Sequence, residues 1–203
     1  MRVLFRCVVV AMSLLIASAA VAQAEPVPMA DVTQSANTDE GWHVSASLSK
    51  MTVNSVPNMA ATALTREGFI TGEASVTIDG NGKAPVNSGE LILGVQLGCQ
   101  VDLSQGGNAS LGGDLGVGLD PTPNAYADID PSVSINILPG NITTMGLGKK
   151  ALKGSHGEIT VHDAHVKVDG CGGPVVIRFF AYAGISTDNG DDSVNTYGDI
   201  LPL

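Results

Sequence analysis

Two groups of residues in this chain are of the types that chemistry uses. They are His162, Asp163 and His165 in VHDAHVKV, and Asp188, Asp191 and Asp192 in TDNGDDS. Imidazoles beside a carboxylate can ligate a transition metal or move protons. On a strand, however, successive side chains alternate faces, so His162 points away from both Asp163 and His165. The apolar phase also shifts there, from Ile159 and Val161 to Ala164, Val166 and Val168, which predicts a β-bulge. No third histidine or glutamate stands at a convincing spacing, and the cluster reads as structural. The clustered oxygens of residues 188–192 suit a hard cation such as calcium, yet EF-hand spacing and its bidentate glutamate are missing. That segment reads as a solvated acidic turn. No G-x-S-x-G, H-E-x-x-H or P-loop occurs, and nothing pairs a nucleophile with a base. The chain is therefore not read as an enzyme, and neither a metal nor a cofactor is expected.

A third group of carboxylates sits in a regular alternation. In ASLGGDLGVGLDPTPNAYADIDPSVSINI the odd positions read Ala109, Leu111, Gly113, Leu115, Val117 and Leu119, apolar but for the glycine, and the even positions Ser110, Gly112, Asp114, Gly116, Gly118 and Asp120 are small or acidic. Val133, Ile135 and Ile137 resume the phase. At about 3.3 Å per residue and a tilt near 40°, residues 109–119 rise roughly 27 Å, against an apolar band of about 25 Å in a transmembrane barrel. A second strand at about 131–138 is shorter and would need part of the preceding ADID to cross. The apolar positions would then face lipid and the small or acidic ones water. The alternative is a sandwich hairpin with one face on the core. Two strands cannot close a barrel, so a pore requires several chains to contribute hairpins to one ring.

The elements that must position these residues are those of an exported all-β protein. MRVLFRCVVVAMSLLIASAAVAQA has a basic start, an apolar stretch and an A-x-A cleavage site, so residues 1–24 read as a signal peptide. A net charge of −10 argues against nucleic acid and anionic lipid as partners. No later run is long and apolar enough for a transmembrane helix, which leaves strands open as a way to cross. The 25 glycines and 10 prolines suit turn-rich β structure. Cys7 leaves with the signal, and Cys99 and Cys171 are expected to pair, as two cysteines in an exported chain usually do.

Residues 25–41 read as a loose polar leader and residues 42–203 as one β domain. Alternating segments HVSASLSKMTV, EASVTIDG and ELILGVQLG fill 42–97, with a turn signal at Asp79-Gly80-Asn81-Gly82. VPNMAATALTREG reads as a short helix or coil. Residues 98–140 hold the hairpin, and GEITVHDAHVKV, PVVIRFFAYAGIS and NTYGDILPL return to strands. Short strands with Gly-rich turns at this spacing predict a β-sandwich.

Two segments carry a family resemblance. LTREGFITGEA (Leu64–Ala74), followed by ELILGVQLG, resembles the start of the MspA-like porins of mycolic-acid-coated actinobacteria. DAHVKVDGCGGPVVIRFFAYAGISTDNGDDSVNTYGDI (Asp163–Ile200) is similar to their end, and LGVGLDPTPN and PSVSINI stand where the family has its membrane hairpin. The resemblance implies a β-sandwich rim domain whose inserted hairpin gives two strands to an oligomeric transmembrane barrel. It implies a homo-oligomer (an octamer in the best-known member) in the outer mycolate membrane, in contact with its lipid, passing small hydrophilic solutes. Asp114, Asp120, Asp128 and Asp130 would line the lumen, the last three near its narrow end, and favour cations. The chain departs from the family pattern in having Gly68 for a tryptophan, no hairpin aromatics, a shorter tip and a cysteine pair. The rival reading is a secreted β-sandwich interaction module without a pore. Arg178 interrupts the apolar strand PVVIRFFAY, on one face with Phe180 and Tyr182, so a carboxylate or carbonyl partner is expected, with Glu67 of LTREGF the candidate.

Overall fold

The computed structural model describes residues 25–101, 132–136 and 142–203. The predicted signal peptide, most of the 98–140 segment and with it Asp114, Asp120, Asp128 and Asp130 lie outside the described residues. The described residues form strands and no helix. In chain order these are β1 (Val27–Pro28), β2 (Val32–Asn37), β3 (Trp42–Val56), β4 (Arg66–Gly80), β5 (Ser88–Cys99), β6 (Ser132–Asn136), β7 (Ile142–Leu152), β8 (His156–Asp169), β9 (Val175–Ser186), β10 (Asp191–Tyr197) and β11 (Leu201–Pro202).

They build two packed sheets. The first runs β1-β3-β4-β8-β6, with β2 also on β3; the second runs β10-β9-β5-β7, with β11 also on β9. The alternation read in the sequence is the cause. Val44, Ala46 and Leu48 of β3, Ile70, Ala74 and Val76 of β4, Leu91, Leu93, Val95 and Leu97 of β5, and Ile177, Phe179 and Ala181 of β9 all point between the sheets and are buried. Burying each such side chain contributes about 1.5–3 kcal/mol relative to exposure, and the sandwich is held by that layer. Two glycines make room in it. A Cβ at Gly72 would stand 2.7 Å from Cε1 of the buried Phe179 ring, and one at Gly68 would stand 2.7 Å from Cδ1 of Leu203. Leu203 thus fills the core beside Gly68.

The structure bears out the bulge in β8. Its pairing with β4 slips between Ile70 and Gly72, Asp163 adopts φ 48°, and the Asp163 amide donates to Thr71 Oγ1 at 3.1 Å. A second slip lies next to it, between Ser49 and Thr52 of β3, where Lys50 adopts φ 53°.

Two expectations are corrected, and two further segments are settled. Residues 25–41 are not a loose leader: Val27 pairs with Val53, and Val32–Asn37 pair with His43–Leu48, because β3 would otherwise present a bare edge. The segment at Asp79–Gly82 joins no hairpin, since β4 and β5 lie in different sheets; it is a crossover. VPNMAATALT forms turns, the second of the two alternatives read for it. ITTMGLGKKAL, for which no element was read, forms β7, an edge strand whose exposed lysines and glycines blur the alternation.

One difference concerns the hairpin. Residues 132–136, within its expected second strand, form β6 and pair in parallel with His165–Asp169 of β8. Within a single chain the outer edge of β8 has backbone groups to satisfy, and a nearby strand that supplies them is stabilised there.

Candidate functional site

The register fixes how the unassigned segment leaves the sandwich. β5 ends at Cys99 and β7 begins at Ile142, and the two strands are antiparallel neighbours with Gly98 opposite Ile142. Everything between them departs and returns at one end of the sandwich, through two points one strand spacing apart, about 4.8 Å. At this lower end β9 also begins, with Cys99 opposite Val175.

The expected disulfide is present and sits at that place. Cys99 and Cys171 are bonded across a Cα–Cα distance of 6.0 Å, and both are buried. Around them the chain is tied by backbone hydrogen bonds. The Cys171 amide donates to Leu64 O at 2.8 Å and the Gly172 amide donates to Val101 O at 2.8 Å. Thr65 Oγ1 donates to Asp169 Oδ1 at 2.7 Å, and Lys167 Nζ lies 2.8 Å from Asp169 Oδ2. Burial pushes the Asp169 carboxyl up, but the Lys167 ammonium and the Thr65 hydroxyl outweigh it and hold Asp169 below the ordinary carboxylate value. The end of β5, the start of β9 and the β3–β4 connection are thereby joined into one rigid mouth.

Arg178 and Glu67 do not meet. Arg178 is on the outer face of the second sheet, Glu67 on the outer face of the first, and the core lies between. Arg178 Nε donates to the side-chain carbonyl of its cross-strand partner Gln96 at 2.6 Å, and its guanidinium lies 4.8 Å from the Tyr197 ring centroid. The expected carbonyl partner is therefore an amide, with an aromatic stack added. Glu67 is buried and pairs with His165 Nε2 at 3.5 Å, while the His165 ring packs on Phe69 with centroids 5.2 Å apart.

The remaining candidates do not converge. His162 and Asp163 are exposed at the bulge, away from the half-buried His165. In the acidic turn, Thr187 Oγ1 accepts from the amides of Asn189 and Gly190 at 3.2 Å, and Asn87 Nδ2 donates to Asp188 Oδ1 at 2.6 Å. Among the described residues no three His, Cys, Asp or Glu side chains come together as a metal-sized group. One cluster was missed. Glu73, buried where the two bulges meet, accepts from Lys50 Nζ at 2.7 Å, Ser49 Oγ at 3.2 Å and Thr160 Oγ1 at 3.3 Å. The Lys50 hydrogen bond chiefly holds its carboxyl below the ordinary value, against burial. The phase shift in SLSKMTV, of the same kind as that in VHDAHVKV, was the available signal.

Comparison with known proteins finds a family. The family described as MspA matches residues 40–201. The chain belongs to the MspA family. Among curated proteins it is 35% identical over 160 residues to Porin MspD of Mycolicibacterium smegmatis, covering 72% of this chain and 75% of that one. It is 32% identical over 160 residues to Porin MspB of the same organism, covering 72% of each. The MspA match takes in the disulfide mouth, the insertion and both sheets. It leaves out β1 and β2, which precede residue 40.

Proposed function

We propose that the protein is a channel-forming porin of the outer mycolate membrane, through which small hydrophilic solutes diffuse passively. Identical chains assemble in a ring, and each contributes the segment between Cys99 and Ile142 as a two-stranded hairpin to a shared barrel. The observation that carries this reading is the pairing of Gly98 with Ile142 at the lower end. An insertion whose two ends leave as antiparallel neighbours can continue β5 and β7 as one hairpin without breaking their ladder. The relatives named as porins support the same reading.

Within that hairpin Leu111, Leu115, Val117 and Leu119 face lipid, and Gly112, Asp114, Gly116, Gly118 and Asp120 face the lumen. Bulky residues on the second set would fill a narrow lumen. Repeated around the ring, Asp114, Asp120, Asp128 and Asp130 create a negative potential that concentrates cations. Planar-bilayer conductance of the purified mature protein tests the reading. Asp120→Asn, Asp128→Asn and Asp130→Asn together should reduce cation preference and leave assembly intact. Val117→Arg should impair insertion, since a lipid-facing charge near the midplane costs about 2–4 kcal/mol per chain. A wild-type protein that never conducts would overturn the channel, and unaltered selectivity in the triple variant would remove these aspartates from the constriction.

A further inference from the structure

The connection between β3 and β4 is built with its polar groups inward. In VPNMAATALT (Val56–Thr65), Asn58 and Thr62 are half-buried and Thr65 is buried, while Met59, Ala60, Ala61, Ala63 and Leu64 are exposed. Met59 is 93% exposed. Asn58 organises the turn. Its Nδ2 donates to Thr62 O at 2.8 Å and Thr65 O at 3.1 Å, its Oδ1 accepts from the Thr62 amide at 2.9 Å, and its carbonyl accepts from the Ala61 amide at 3.0 Å. Thr62 Oγ1 accepts from the Leu64 amide at 3.1 Å. Ala61 holds φ 51° to close the turn. Water would satisfy such groups without any of this. Arg66 Nη1 adds bonds to Ala63 O at 2.8 Å and Thr65 O at 2.9 Å. A loop that satisfies its backbone groups from within the chain and turns methyl groups outward, with a guanidinium at its base, suits the boundary of an apolar medium, where an unpaired backbone group costs several kcal/mol.

The charge distribution points the same way, independently. At the lower end, residues 56–65, 98–101, 142–148 and 170–177 contain no Asp, Glu, Lys or Arg; the charges there are Arg66, which is hydrogen-bonded to the loop, and the Lys167–Asp169 pair. Ile142 is 65% exposed there, and Val101 and Val176 are exposed as well. The opposite end carries Asp39, Glu40, Asp79, Lys83, Lys153, Asp188 and Asp191. The lower end is therefore sparsely charged and presents apolar side chains, and the other is densely charged.

We propose that the lower end is a lipid-contact surface, with the Met59–Leu64 loop inserted at the boundary between headgroups and acyl chains. The direction of the membrane rests on the channel reading, because the hairpin leaves from this same end. A second copy is not the occupant: copies in a ring meet flank to flank, and their ends stay open. The loop itself carries no charge, Lys167 and Asp169 neutralise each other, and the exposed side chains are Met59, Leu64, Val101, Ile142 and Val176, so the contact is chiefly apolar.

The native cysteines are bonded to each other, so a single cysteine introduced as Met59→Cys can be labelled alone with an environment-sensitive fluorophore. Asn189→Cys, at the charged end, is the reference. In channels reconstituted into phosphatidylcholine vesicles, the label at 59 should shift to the blue, lose iodide quenching and gain quenching by lipids brominated near the headgroup. The label at 189 should do none of these. Met59→Glu with Leu64→Glu should lower the frequency of channel insertion about tenfold or more, leaving single-channel conductance unchanged. A label at 59 that stays as open to iodide as the one at 189, in protein that conducts, overturns the proposal. Normal insertion of the double glutamate variant does so too. Lipid quenching at 59 in protein that never conducts would instead keep the lipid contact and remove the channel.

Discussion

Breaking the Cys99–Cys171 bond should cost the fold roughly 4 kcal/mol, and should do so non-additively. The bond closes a sequence separation of 72 residues, and for a loop of that length the chain-entropy model gives about 4 kcal/mol. Both sulfurs are buried, so each alanine adds only a small packing loss. Cys99→Ala alone already removes the cross-link, as does Cys171→Ala alone. Each single variant should therefore lose nearly the whole amount and the double variant little more, leaving a coupling energy near 4 kcal/mol. Guanidinium unfolding in non-reducing buffer measures this through Trp42, the chain's single tryptophan, which is half-buried with Nε1 donating to Ala84 O at 2.9 Å. The denaturant slope should rise in all three variants, because the released unfolded chain exposes more surface. Single-variant costs that add in the double variant, or a total below about 1 kcal/mol, would refute the entropic account. The bond would then be an ornament of the mouth and not its tie.

The carboxyl of Glu73, depressed chiefly by the Lys50 hydrogen bond, contributes stability above the ordinary unfolded carboxylate pKa of about 4.3 and loses it as pH falls through the lower folded value. Glu73→Gln should therefore flatten the acid limb of a stability–pH curve and leave the slope at neutral pH alone; an unchanged acid limb would exclude that contribution. Ser134→Cys with Lys167→Cys joins two residues that are register partners in β6 and β8. Oxidised, this pair should hold the chain as a monomer that does not conduct, and mild reduction should restore assembly; an oxidised, mass-verified cross-link inside a conducting oligomer would sink the idea.

Where a segment faces one sheet with one apolar phase, the sequence carried the fold. The core faces of β5 and β9 and the bulge of β8 were readable because burial imposes the period of two and a slip reverses it. Edges were less readable. β2 is polar on nearly its whole surface and owes its place to the ladder of β3, which no side-chain pattern records. β7 lies at the margin of its sheet with glycines and lysines that need no burial. The partner of Arg178 depends on which sheet each strand joins, and a resemblance between LTREGF and its family could not supply that. The uncharged loop was visible as ten residues without a charge, but its inward-turned Asn58 required coordinates.

The direction of β6 sets a condition on assembly. β5 runs down to Cys99, β7 runs up from Ile142, and β8 runs down to Asp169 beside the Cys171 mouth. Residues 132–136 pair in parallel with β8 and so also run down, towards the mouth. A return strand of a hairpin continuing into β7 must run up instead. The same five residues cannot do both. Nor can the hairpin spare them, because the stretch before them carries Pro121, Pro123 and Pro131, and proline has no amide to give a closed barrel ladder. On the channel reading, release of β6 from β8 is therefore part of forming the pore. What replaces it must be worth at least the five residue pairs given up, and the ladders on both sides of a barrel strand, with every lipid-facing backbone group satisfied, supply more than one edge can. On that reading, a strand parked on its own sheet edge stays paired until neighbours can offer it two ladders.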